Sequence, residues 1–309
     1  MFSFLFSFAI LITATSFAQD TDIRYRDYIF KEITVKKNLR YQPDSIADTK
    51  KRDHRFDWFE AKDDTLTARP LIIWIHGGGF KFGNKTSRGT PLWSKTFARR
   101  GYVCAAINYR KSKKRPLKRF ADLADGCFEA VTDTEAAIDY FKKNAKLYRI
   151  DTNRIILAGN SAGGMTAIQA VYSSKKDLAK LAGRPDSASL STQRNPHHII
   201  GVINFWGAVY DTSWLKNTMI PIISAHGKKD RIVLYYTSGI PIYGSGIIHR
   251  VATKENIPNL LKTYEGLNHE LQKPFNPILN GPRAKRRWLE AGAIAADFLF
   301  PFVVSKKRT

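Results

Sequence analysis

Apolar residues along the chain fall into short continuous runs separated by longer amphipathic stretches. The first runs are extended in character. They cover residues 28–42 and 52–60, and in the second His54, Phe56 and Trp58 alternate with Arg55, Asp57 and Phe59, a two-residue period broken only at Phe59. Asp63-Asp64 then turn the chain into Pro70-Leu71-Ile72-Ile73-Trp74-Ile75-His76, an apolar run that stops at three glycines. From there strands and helices alternate. The pattern predicts a strand over 102–109, a long helix near 121–146, a strand over 153–159 and a helix from about 162. Further strands fall at 199–205, 221–226 and 260–265, with a last helix near 283–299. Strands that are apolar along their whole length bury both faces, so this alternation places them in a parallel sheet covered on both sides. The prediction is an α/β protein with no internal repeat and no linker, hence one domain. Residues 175–197, rich in Lys, Ser, Pro and Asn, read as a polar surface excursion, inert in preference to part of a lid.

The N-terminus stands apart. Met1 to Ala18 carries no charged side chain; Phe2 to Ile12 is apolar, and Ser16 and Ala18 are small residues before Gln19. This is the layout of a signal peptide over 1–18, although its positive start is limited to the terminal amine. The run is shorter than the ~20 apolar residues that span a bilayer. The expectation is export to the periplasm or medium, with 19–309 soluble after cleavage. Export makes the two cysteines worth weighing. Cys104 lies in a strand-like apolar run and Cys127 on a helical stripe with Leu123, Ala130, Thr134, Ala137 and Phe141. Both read as small core residues, with a disulfide between them left open. There is no paired-Cys spacing and no His pair at helical spacing, so no metal is expected.

Chemistry enters at Gly159-Asn160-Ser161-Ala162-Gly163-Gly164, directly after Ile155-Ile156-Leu157-Ala158 and before the helical stretch Met165 to Tyr172. A strand-to-helix turn this sharp strains the serine backbone and presents its hydroxyl at a helix N-terminus, where developing negative charge is favoured. His76-Gly77-Gly78-Gly79-Phe80 closes the apolar run before it, and its glycines let backbone amides approach a tetrahedral oxyanion.

HGGGF at 76–80, NYR at 108–110 and GNSAGG at 159–164, in that order and spacing, resemble the carboxylesterases of the α/β-hydrolase fold. The chain is most similar to the branch related to hormone-sensitive lipase and bacterial carbohydrate esterases, over about residues 28 to 300. The resemblance implies an α/β-hydrolase fold with a mostly parallel central sheet of about eight strands. It also implies an oxyanion hole from Gly78, Gly79 and the amide of Ala162, and chemistry without metal or cofactor. The lipase-like elbow commonly has Asp where this chain has Asn160; that residue makes no attack, so the departure bears on subfamily.

Ser161 needs a base, and the base needs an orienting carboxylate. In this fold they follow in the order acid, then His. Asp230, in His226-Gly227-Lys228-Lys229-Asp230, matches the family's HGxxD loop and is favoured over Asp211, which follows strand 199–205. Lys228, Lys229 and Arg231 are expected to favour the ionised carboxylate. His269, just after the strand at 260–265, is favoured as base over His249 in a helical stretch; His76 and His226 read as structural.

Charge is the last feature. There are 50 basic and 27 acidic residues, a formal charge of +23, and seven of the ten residues from Arg110 to Arg119 are Lys or Arg. A second cluster lies at Arg283 to Arg287. On this fold the balance is no nucleic-acid signature. It reads first as solvated faces, then as weak attraction to an anionic glycan or membrane surface. The expected function is hydrolysis of small or medium acyl esters, acetyl or feruloyl esters of carbohydrate included. An amidase or exopeptidase on the same triad, or a non-catalytic binding protein of this fold, are the alternatives.

Overall fold

A computed structural model describes residues 23–43, 50–216, 218–237, 239–273 and 280–305; the signal-peptide expectation at 1–18 lies outside them. Eight strands form one sheet. They are β1 (Ile33–Arg40), β2 (Arg55–Ala61), β3 (Arg69–Ile75), β4 (Val103–Ile107), β5 (Ile150–Asn160), β6 (Gly201–Phe205), β8 (Ile222–Gly227) and β10 (Asn259–Tyr264). The two-residue strands β7 (Ala208–Val209) and β9 (Tyr243–Gly244) pair separately. In space the order is β1-β2-β4-β3-β5-β6-β8-β10. β2 runs antiparallel to both β1 and β4, and every other pair is parallel. This is the α/β-hydrolase arrangement.

The central strands are buried at every position, as their unbroken apolar runs require. Side chains alternate between two helical layers. Ile73, Ile75, Val103, Ala105 and Leu157 pack under α2 (Phe120–Lys143), α4 (Ala162–Tyr172), α5 (Lys175–Leu181) and α6 (Ser245–Lys254). Ile72, Trp74, Cys104, Ala106 and Ile156 pack under α1 (Gly89–Ala98) and α7 (Asn280–Val304). A single helical turn, α3 (Ala145–Tyr148), links α2 to β5. Cys104 and Cys127 therefore sit on opposite faces of the sheet. Both thiols are free, and burial pushes Cys127 up to about 12 and Cys104 higher still. The open question of a disulfide is answered by sheet geometry.

Three expectations need adjustment. The first strand begins at Ile33, not residue 28, and α1 has no counterpart in the pattern read above. Asp57 and Phe59 are buried as well as their neighbours, because β2 is covered on both faces; Lys85 neutralises Asp57 at 2.6 Å. Nor is 175–197 an unattached polar excursion. Leu178 on α5 reaches the core, and Arg184 ties the segment to Asp125 at 2.8 Å and to Glu129. Among the described residues no helix is long and apolar enough to cross a membrane.

Candidate active site

β5 ends at Asn160 and α4 begins at Ala162, which leaves Ser161 alone to turn the chain. It does so at φ 53° and ψ −122°, a conformation that costs a non-glycine residue on the order of 1–3 kcal/mol. Its amide donates to the Phe205 carbonyl at 2.8 Å and its carbonyl accepts from Met165 at 2.9 Å, so the strain is held from both sides. Gly163 has to be glycine because a β-carbon there would run into the Ile75 carbonyl.

The structure brings the three predicted residues together. Ser161 Oγ lies 3.0 Å from His269 Nε2, and His269 Nδ1 donates to Asp230 Oδ2 at 2.7 Å. Asp230 Oδ1 accepts from the amides of Ile232 at 2.8 Å and Val233 at 3.0 Å. Asp230 is only 3% exposed, and burial alone would push its carboxyl up. The hydrogen bonds from His226 and His269 outweigh that burial and hold it well below the usual carboxylate range. The expected direction is right and the expected cause is not. Lys228 turns away to lie over the rings of Tyr235 and Tyr236.

The rivals are elsewhere. Asp211 is exposed and caps the 3₁₀ turn at 212–215 through the Ser213 amide at 2.8 Å. His249 on α6 hydrogen-bonds Asn259. His76 is buried against the Tyr109 ring at 4.3 Å, and burial drives it down to about 4. His226, expected to be structural only, lies on the same carboxylate as His269, with Nε2 at 3.1 Å from Asp230 Oδ2.

Supports that no local pattern announced hold the loop around His269. Asn268 Oδ1 accepts from the amides of Arg231 at 2.9 Å and His269 at 2.8 Å, which clamps the Asp230 loop to the His269 loop. Trp288 on α7 donates to the Glu270 carbonyl at 2.8 Å and Arg287 to the Leu271 carbonyl at 2.7 Å. Trp206, edge-on to His269 at 6.5 Å, continues into the Trp93–Trp288 cluster.

Ser161 and His269 open onto a cavity of about 510 Å³, within the roughly 300–1,000 Å³ of small-molecule sites. Gly78, Gly79 and Ala162 line it beside Ser161, with Ala162 as the first residue of α4. Gly78 and Gly79 take φ values of 116° and 58°, the left-handed range that glycine reaches without strain. Its walls are largely apolar, among them Phe82, Leu117, Phe120, Met165, Ile232 and Ile242. Lys118 and Arg119 form an exposed part of one wall, with Glu270 the acidic residue on the lining. The basic run at 110–119 is thus more than a solvated face. Lys81 donates to the carbonyls of Ser112 and Lys114 at 3.0 Å each, Lys111 donates to Gly83 at 2.7 Å, and Arg110 pairs with buried Asp133 at 2.7 Å. These cations pin the loop that carries the wall. Among the described residues no group of three or more His, Cys, Asp or Glu side chains could hold a metal ion.

Residues 57–218, just over half the chain and including the turn at Ser161, match the BD-FAE family. The chain belongs to the BD-FAE family. Among its relatives is the Mycobacterium tuberculosis protein named probable carboxylic ester hydrolase LipM, 26% identical over 179 residues, which are 58% of this chain and 37% of that one. This BD-FAE chain spans between 18% and 37% of the length of the first curated relatives it matches. Esterase 2 of Thermogutta terrifontis, solved after phosphorylation by paraoxon, shares its fold with a TM-score of 0.59 at 19% identity, covering 92% of this chain and all of that one. A truncated carbohydrate esterase from gut microbiota gives 0.59 at 18% identity, covering 90% of this chain and 98% of that one.

Proposed function

We propose that this BD-FAE chain is an exported serine carboxylic-ester hydrolase, with a signal peptide at 1–18 and one α/β-hydrolase domain at 19–309. The observation that carries the reading is the relay from Ser161 Oγ through His269 to Asp230, at 3.0 and 2.7 Å, opening on a largely apolar cavity. Ser161 Oγ attacks the ester carbonyl carbon while His269 Nε2 takes its proton, and Asp230 stabilises the imidazolium that forms. The carbonyl oxygen becomes an oxyanion that the amides of Gly78, Gly79 and Ala162 stabilise. Collapse expels the alcohol, which leaves with the proton from Nε2, and an acyl-enzyme remains. Water repeats the sequence with the same proton traffic and releases the acid. The apolar walls suit small or medium acyl groups, with acetyl and feruloyl esters of carbohydrate as the candidates; the cationic wall suits an anionic neighbour on the substrate.

The test is Ser161→Ala in a substrate panel of aryl esters of increasing acyl length, acetylated and feruloylated sugars, and matched amides, alongside fluorophosphonate labelling. The expected result is loss of label and at least a thousandfold drop in kcat, to order of magnitude, with an unchanged thermal transition. Hydrolysis that survives in a pure variant ends the reading. Amide turnover exceeding ester turnover would redirect it to an amidase.

A further inference from the structure

We propose that His226 is a positioning residue for the Ser161–His269–Asp230 relay: it holds the Asp230 carboxylate through a second imidazole hydrogen bond, and Asn204 and Ser245 hold its ring from the other side. For its kinetic consequence this rests on the esterase reading above.

The polarity of the chain of bonds is set from its two ends. The Gly207 amide donates to Asn204 Oδ1 at 3.0 Å, and because a backbone N–H cannot reverse its role, that bond settles which end of the Asn204 amide is oxygen. Asn204 Nδ2 then donates to Ser224 Oγ at 3.0 Å and Ser245 Oγ at 3.2 Å. Ser245 Oγ, which accepts from Asn204, lies 2.8 Å from His226 Nδ1. The other ring nitrogen sets the direction: Nε2 faces acceptors and therefore carries a proton, so in the neutral ring Nδ1 offers its lone pair and Ser245 donates to it. Those acceptors are Asp230 Oδ2 at 3.1 Å and the Val233 carbonyl at 2.9 Å. Asn204, Ser245 and His226 have no exposure to solvent, so no water relieves a wrong choice.

Asp230 Oδ2 thus accepts from two imidazoles, the N–H of His226 being shared with the Val233 carbonyl, while Oδ1 accepts two backbone amides, and four donors fix the carboxylate plane. The oxygen that faces His269 shares its charge with His226. Without His226 that charge falls on His269 alone, the bond between them tightens, and the base is protonated more readily. Other titratable or charged groups around the pair are Tyr235, whose ring lies 5.6 Å from His226, then Lys228, Lys229 and Arg231 beside Asp230, and Glu270 after His269.

The experiment compares His226→Phe, His226→Gln and Ser245→Ala with wild type, reading thermal stability, the pH profile of kcat/KM on a small aryl ester, and the low-field proton resonance of the His269–Asp230 bond. For His226→Phe the expected result is an acid limb moved up by about 0.5–1 pH unit, a roughly tenfold lower kcat, and the proton resonance further downfield. His226→Gln carries an amide nitrogen to the Nε2 position and should return the limb and the resonance toward wild type. Ser245→Ala, which removes one hydroxyl and is the variant that decides if the Phe replacement does not fold, should shift both in the same direction by less. Folded variants whose limb and resonance coincide with wild type would overturn the proposal, since a purely structural histidine changes stability alone. If the wild type hydrolyses no ester, the functional reading fails by itself. The proton resonance still decides this inference: downfield movement supports it and an unchanged signal overturns it.

Discussion

Asp230→Asn is the perturbation whose consequence the geometry specifies most closely. The carboxylate accepts from His269 at 2.7 Å, His226 at 3.1 Å, Ile232 at 2.8 Å and Val233 at 3.0 Å. An amide has one oxygen. Its NH₂ must face either the two imidazole donors or the two backbone donors, and both placements set N–H against N–H. The cheapest escape is for His269 to move its proton from Nδ1 to Nε2, after which Nε2 can no longer accept from Ser161. The expected loss in kcat is about four orders of magnitude, or roughly 5.5 kcal/mol of transition-state stabilisation. Stability should also fall, by about 2–4 kcal/mol, because hydrogen bonds to a buried charge contribute roughly 1.5–3 kcal/mol each and not all are lost. Asp211→Asn is the control. It sits at an exposed cap and should change kcat less than twofold and stability by less than about 1 kcal/mol. The assay is initial-rate hydrolysis of an aryl acetate by each purified variant, with urea unfolding for stability. A kcat within tenfold of wild type for Asp230→Asn, or a larger loss for Asp211→Asn, would refute the assignment of the acid.

Two further outcomes follow from charge. His76 is driven down to about 4 by burial, from an unfolded value near 6.5, so below pH 6.5 the unfolded chain takes a proton that the folded one refuses. Stability from this group is complete above 6.5 and declines as pH falls toward 4, by about 2 kcal/mol between pH 8 and pH 5. In urea unfolding, the gap between those pH values should shrink by that amount in His76→Gln, and an unchanged gap would remove the argument. Lys118 and Arg119 on the cavity wall should speed hydrolysis of acidic esters at low salt through a lower KM, an effect lost as screening shortens to roughly 8 Å. Neutral esters should respond little, and the double replacement by Glu should abolish the difference. Equal salt profiles for both substrate types would leave the wall without a steering role.

The strands of the central sheet, the helices at 120–143, 162–172 and 280–304, the elbow at Ser161 and the glycine turn at 77–79 were legible along the chain because each is a property of a continuous segment. Backbone periodicity and the need for glycine at a crowded turn are local facts. What was not legible lies where separate segments meet. The basic run at 110–119 became a cavity wall because Lys81, Lys111 and Asp133 draw it down beside Gly79, and a count of charges carries no such direction. Asn204, Ser245 and His226 come from β6, α6 and β8, and only their convergence beneath Asp230 makes a bonded chain of them. The choice between Asp230 and Asp211 shows the same division. Both follow strand ends in the acceptable order, so sequence could favour one through a motif but could not say which loop meets His269. Strand pairing decides it. β10 lies beside β8 with Tyr264 opposite Gly227, so the loops leaving those two strands, one carrying His269 and the other Asp230, emerge side by side from the same edge of the sheet. β6, from which the chain reaches Asp211, lies one strand further away.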